Sequence, residues 1–182
     1  MANCPKCPNT KLVASKVTGD LSGLACTACE GLLLSLVNYR VWREARAFNV
    51  VPVPDKAIVP APENTRAACL CPKCGGVMSK YHFSVDADSQ LDFCYHCEEI
   101  WFDDGEWALL SELSLEDELT QIFTHPWQRS LLESKIAQTE TARWQRTFGE
   151  DYQKITEMLS WLQAHPKKSQ IVAYIFDAIR HN

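Results

Sequence analysis

This chain of 182 residues is short of several things that would announce a function. Its longest apolar stretch, Gly31 to Val37, falls far below the roughly 20 residues a membrane-spanning helix needs. The opening MANCPKC has no charged-then-apolar run of the signal-peptide kind. No Ser, Asp or second His is spaced with His82, His125, His165 or His181 as a catalytic triad would require. No isolated CxxC stands at a helix start after a strand, which a thioredoxin-type redox centre needs. Together these absences point to a cytoplasmic protein, not an enzyme, with no membrane partner.

Basic charge is scarce as well, with a net of −5, and it is unevenly spread. Residues 1–48 carry six basic against three acidic side chains; residues 67–113 carry two against nine. Residues 114–182 are nearly balanced, with eight against nine. Phosphate backbones bind through Lys and Arg that release counterions, so the acidic segment would be repelled by them. Nucleic acid could only reach residues 39–46, where Arg40, Arg43 and Arg46 interleave with Tyr39 and Trp42, and net charge disfavours even that.

What the chain has in excess is cysteine. Eight of the nine fall into four CxxC pairs: Cys4/Cys7, Cys26/Cys29, Cys71/Cys74 and Cys94/Cys97. Eighteen residues separate the first two pairs and 19 the last two. Those separations fit four-cysteine metal sites. A CxxC turn points two thiolates at one ion, and two turns joined by a hairpin complete a tetrahedron. Four sulfur ligands leave no open position, so such sites are structural. The spacing predicts two Zn2+ ions per chain, with tetrahedral iron using the same sulfurs as the distant alternative. Cys69 stands outside the pattern as an idle free thiol, and His96 within CYHC should point outward.

The repeat, at an offset of 67 residues over the first pair and 68 over the second, argues for two successive modules. Alternating Tyr81, Phe83 and Val85, a turn at 86–89, then Leu91, Phe93 and Tyr95 read as a hairpin. Leu12-Val13, Val17, the Thr18-Gly19-Asp20 turn and Leu21 to Ala25 repeat it. Four prolines within 49–66 suggest a semi-rigid linker that lets the modules sit apart or runs along the second. Asp103 with Glu106 three residues on forms a capping box that starts a helix, with Trp101 and Phe102 packed over the hairpin. The other carboxylates of 98–106 read as a solvated face, ahead of a docking surface or a hard-cation site.

From 114 the chain is helical. Ser114 and Asp117 suggest a short capped helix through Phe123, and Thr124-His125-Pro126 opens a longer one. Trp144, Phe148, Tyr152, Ile155, Leu159 and Leu162 recur on one helical face, with Gly149 a candidate break inside it. His165-Pro166 ends that helix, and a last one carries Ile171, Val172, Ile175, Phe176 and Ile179.

CPKCGG followed by FCYHCEEIWFDDGEW resembles the bacterial zinc-finger family named after the zinc ribbon of transcription factor IIB. In that resemblance Cys71, Cys74, Cys94 and Cys97 match the metal ligands, and Trp101, Asp103, Gly105 and Glu106 the tail motif. Glu98 and Glu99 replace two glycines there and Phe102 replaces a leucine. Residues 4–35 look like a degenerate copy: Cys4, Cys7, Cys26, Cys29 and Gly31 match and the tail motif is missing. His165-Pro166 and Ala173-Tyr174 echo tails of similar proteins. The resemblance implies zinc binding and compact ribbons, without a settled activity.

The expected architecture is small α+β, with two Cys4 zinc-ribbon modules (1–48 and 67–113), a Pro-rich linker (49–66) and a helical tail (114–182). The expected role is a zinc-binding adaptor with a protein partner or self-association through the tail. A nucleic-acid-binding, transcription-related regulator acting through the first module is the alternative.

Overall fold

A computed structural model describes residues 2–47, 67–85 and 90–181. The linker at 49–66 and the hairpin turn at 86–89 lie outside the described residues. The chain divides into two compact units, Met1–Ser134 and Lys135–Asn182.

The first unit opens with the expected hairpin, β1 (Leu12–Thr18) and β2 (Leu21–Cys26), turning at Gly19-Asp20 with Gly19 at a φ of +51°. Glycine takes that left-handed backbone without the steric cost a Cβ brings. A third strand, β3 (Leu32–Ser35), runs into helix α1 (Leu36–Ala47). The second half repeats this order with β4 (Ser79–His82), β5 (Gln90–Cys94), β6 (Glu99–Phe102) and helix α2 (Glu106–Glu112). Trp101 and Phe102 therefore lie within a strand and do not drape over the hairpin.

All six strands join in one antiparallel sheet of order β1-β2-β3-β6-β5-β4. The junction is β3 against β6: Leu32 faces Phe102, Leu33 faces Trp101, Leu34 faces Ile100 and Ser35 faces Glu99. The 68-residue offset makes this an internal two-fold. It carries Leu33 onto Trp101 and exchanges the Leu32–Phe102 and Leu34–Ile100 pairs. It also carries the Leu24–Leu33 pair of β2–β3 onto the Asp92–Trp101 pair of β5–β6. Each half thus covers the other's edge strand, satisfying a row of backbone groups that would otherwise invite pairing with another chain.

Strand alternation sorts side chains onto two faces. On one, Leu34, Leu91, Phe93, Ile100 and Phe102 pack with Leu36 and Tyr39 of α1 and with Leu109 and Leu110 of α2. The short α3 (Leu119–Ile122) closes this core, and the Leu119 amide donates to the Tyr39 hydroxyl at 3.3 Å. Ser114 caps nothing; it takes a φ of +58° after α2, and the next helix waits until Leu119. Arg43 donates to the Asp117 carbonyl and to Thr120, while Arg46 meets Glu116 and Asp117 and lies over Trp42. The other face gathers Leu12, Leu33, Met78 and Trp101 with the cysteines.

Helix α4 (His125–Phe148) starts where the proline pattern places it, and the Thr124 hydroxyl accepts the Trp127 amide at 3.4 Å. In the second unit a 3-10 turn at Gly149–Asp151 interrupts the helix, with Gly149 at a φ of +53°. Then come α5 (Tyr152–Ala164) and α6 (Lys168–Arg180). His165, extended before Pro166, ends α5 because the proline ring disfavours a helical predecessor.

Gly31, just before β3, has no room for a side chain: a Cβ there would stand 2.3 Å from Cζ2 of Trp101. Trp101 is fully buried and cannot retreat cheaply. Gly31→Ala should therefore lower unfolding free energy by about 1–3 kcal/mol, the usual range for overpacking. Chemical denaturation checks this; an unchanged midpoint would contradict it.

Candidate metal centres

Cys4 and Cys7 sit in the turn before β1, which the Cys4 amide closes by donating to the Thr10 carbonyl at 2.8 Å. Cys26 ends β2, and Cys29 lies in the turn that follows, where the Cys26 amide donates to the Gly31 carbonyl at 2.8 Å. The second half repeats this arrangement: the Cys71 amide donates to the Gly76 carbonyl at 2.8 Å, Cys94 ends β5, and Cys97 precedes β6. Glu30 and Glu98, each directly after a second CxxC, have φ of +57° and +52°. A glycine suits that conformation, so both glutamates hold a backbone geometry that residues with a side chain rarely adopt.

The fold brings all eight paired cysteines into two groups, Cys4/Cys7/Cys26/Cys29 and Cys71/Cys74/Cys94/Cys97, with the four sulfurs of each within 4.8 Å of one another. Cys4 and Cys29 Sγ stand 3.6 Å apart, and Cys74 and Cys94 Sγ 3.7 Å. A disulfide would need about 2.05 Å. A tetrahedron with Zn–S bonds of about 2.3 Å has edges of about 3.8 Å. The spacing fits a closed four-sulfur cage and not cystine. All nine cysteines are free thiols.

Backbone amides aim at the sulfurs: Lys6 and Cys7 donate to Cys4 Sγ at 3.4 and 3.3 Å, and Ala28 to Cys26 Sγ at 3.4 Å. Such donors favour thiolate. Burial raises the Cys26 thiol, but the Ala28 and Cys29 amides outweigh it and bring it down to about 7. The Gly76 amide, with the Cys97 thiol, brings Cys74 down to about 7. Burial instead pushes Cys29 and Cys71 up, and hydrogen bonding with Cys74, backed by burial, raises Cys97 to about 12. Each group thus mixes ready thiolates with thiols that must surrender a proton to a metal. An ion taken up there would release protons and bind more tightly as pH rises.

Cys69 joins neither group. It is buried beside Met78, 3.8 Å from Sδ, and burial pushes its thiol up to about 12. His96 is exposed, as expected.

The carboxylates of 98–106 depart most from the sequence reading. Glu99 is buried and so belongs to no solvated face, and the capping-box residue Glu106 is buried as well. Glu99 receives Lys73 at 2.6 Å. Asp103 pairs with Lys6 and accepts the Trp101 indole N–H at 2.9 Å. Lys6 and Lys73, the third residues of the two CPKC turns, thus each meet a carboxylate on or just beyond β6. Glu106 makes one half of the capping box, its Oε2 accepting the Asp103 amide at 2.8 Å. The Glu106 amide in turn donates to the Asp103 backbone carbonyl at 3.1 Å, and the residue before α2 is Gly105 at a φ of +77°. Nearby Asp92 is buried, with Lys80 Nζ 3.0 Å from either oxygen but in hydrogen-bond geometry only to Oδ2. Sequence patterning missed this network because Lys6 and Asp103 lie 97 positions apart.

No family model, no curated protein and no solved structure matches the chain.

Two outcomes follow. Elemental analysis should find two ions per chain, and Cys4→Ser or Cys71→Ser should each reduce that content; a metal-free protein with full native structure would contradict it. Burial holds the Glu106 carboxyl up at about 8, with the nearby Asp103 and Asp92 carboxylates also raising it. The folded chain then keeps a proton that the unfolded chain gives up near pH 4.5. That contribution to stability falls as pH rises from about 4.5 to about 8 and is flat above. Between pH 6 and 8, wild type should lose up to about 1.4 kcal/mol per pH unit relative to Glu106→Gln, whose amide oxygen still accepts the Asp103 amide. Parallel denaturation curves would contradict this.

Proposed function

We propose that the protein is a zinc-binding, non-enzymatic adaptor built on two structural ribbon-type Cys4 sites. The pair of closed sulfur cages carries this reading. Sulfur-only tetrahedral donor sets suit zinc or iron, and four protein ligands leave no position for substrate. The match of Cys71 to Glu106 with the transcription factor IIB ribbon pattern supports zinc. Nine free thiols suit a reducing, cytoplasmic compartment, and no helix among the described residues is long and apolar enough to cross a membrane.

The interaction surface is assigned to the helical tail. Helices α5 and α6 contain no fully buried side chain. Trp144, Trp161, Tyr174 and Phe176 are 44, 56, 75 and 64% exposed. At about 150–250 Å² per aromatic side chain, these four alone present roughly 500 Å². With Ile136, Leu159 and Ile179 the apolar surface approaches the ~800 Å² that each partner of a stable interface contributes. Basic and acidic residues are interspersed along these helices, so a second copy would not be repelled.

The nucleic-acid alternative has less support. Tyr39 is buried, Arg40 pairs with Glu98, and Arg43 and Arg46 hold the 116–120 segment against α1.

Light scattering after size exclusion, combined with capture from lysate, tests the adaptor reading. Full-length protein should run above monomer mass or retain a protein partner. Trp161→Glu with Phe176→Glu should abolish that while leaving metal content unchanged. A monomer that retains no partner would overturn the reading.

A further inference from the structure

The two cages share one body of protein. Trp101, with no exposed surface, lies in a single buried cluster with Cys4 and Cys26 of the first cage and Cys71 and Cys94 of the second. It belongs to β6, three residues beyond the second cage's last CxxC and its following glutamate. Yet its ring fills the space left by the missing Cβ of Gly31, two residues beyond Cys29 of the first cage. Its indole N–H holds Asp103, and Asp103 holds Lys6, which lies between Cys4 and Cys7. Lys73, between Cys71 and Cys74, is held in turn by Glu99, which faces Ser35 across the β3–β6 junction.

We propose that the two cages bind metal as a coupled pair, with Trp101 and the β3–β6 junction transmitting the occupancy of one to the affinity of the other. The proposal rests on the metal-binding reading above and adds to it. A CxxC turn without its ion loses the force that shapes it, since the free energy of metal binding is folding free energy in such small sites. Loosening the first cage would free Gly31 from Trp101. It would also withdraw Lys6 from Asp103, leaving a largely buried carboxylate without its cation, which is strongly unfavourable. Trp101 would then lose the packing that positions Cys71 and Cys94. Loosening the second cage releases the same indole from Gly31, and coupling between two binding sites is reciprocal by thermodynamic necessity. In a chain whose halves folded separately, one cage would be indifferent to the other.

The test uses full-length protein stripped of metal and titrated with Zn2+. Native mass spectrometry at one equivalent should show chains with no ion and chains with two, and little of the one-ion species. Independent sites give at least half the chains one ion, and that distribution would overturn coupling. In a second measurement, Cys4→Ser with Cys7→Ser removes the first cage, and the remaining ion is challenged with a chromophoric chelator. Its affinity should fall at least tenfold below that of the wild-type second site; a change under twofold would overturn the proposal. Trp101→Leu should restore the one-ion species. A protein that takes up no Zn2+ would defeat the metal-binding reading itself, whereas two ions taken up independently would defeat the coupling alone.

Discussion

The pairing of β3 with β6 is the constraint on which the rest of the first unit depends. Each cysteine half has three short strands and one helix, too little to bury a core of its own. Placing the two third strands side by side turns twin three-stranded pieces into one six-stranded sheet. The internal two-fold passes between Leu33 and Trp101. On one face the arrangement supplies the apolar floor for α1, α2 and α3; on the other it brings both sulfur groups to a common centre.

The halves have diverged around that axis in a way the axis explains. Where the first half has Leu24 and Leu33, the second has Asp92 and Trp101 in the same register. A tryptophan on the axis needs space from its neighbour, and Gly31 provides it. Its N–H needs an acceptor, and Asp103 provides that. That carboxylate needs a cation, and Lys6 reaches it from the other half. Asp103, which seems surplus in the second half, is therefore the polar partner that the burial of one large aromatic residue requires. Asp103 and Glu99 also place lysines in both CPKC turns, where ion binding would leave each cage with a net negative charge.

The second unit is organised by a different logic. Its helices follow the three-and-four spacing of the apolar residues, and its breaks fall at Gly149 and His165-Pro166, where backbone chemistry demands them. Within it, Trp144 and Phe148 stack at 5.4 Å, one helical turn apart. Such neighbours along a helix stabilise it locally, but short helices depend on tertiary burial for most of their stability, and here the large apolar side chains stay at the surface.

The sequence alone determined whatever is encoded within a few residues or by a fixed repeat. The four CxxC turns, the two hairpins, the start of α4, the breaks at Gly149 and Pro166 and the two groups of four cysteines follow from local spacing and backbone preference. Only the tertiary structure decided that β3 and β6 are strands and that they join the halves. Four-residue apolar runs such as Leu32–Ser35 have no period long enough to read, and their partners lie some 68 positions away. It alone decided the fate of the acidic stretch, for the same physical reason. Asp103 looks like one more solvated carboxylate in one dimension, but its partner Lys6 comes from the opposite half of the chain, 97 positions away.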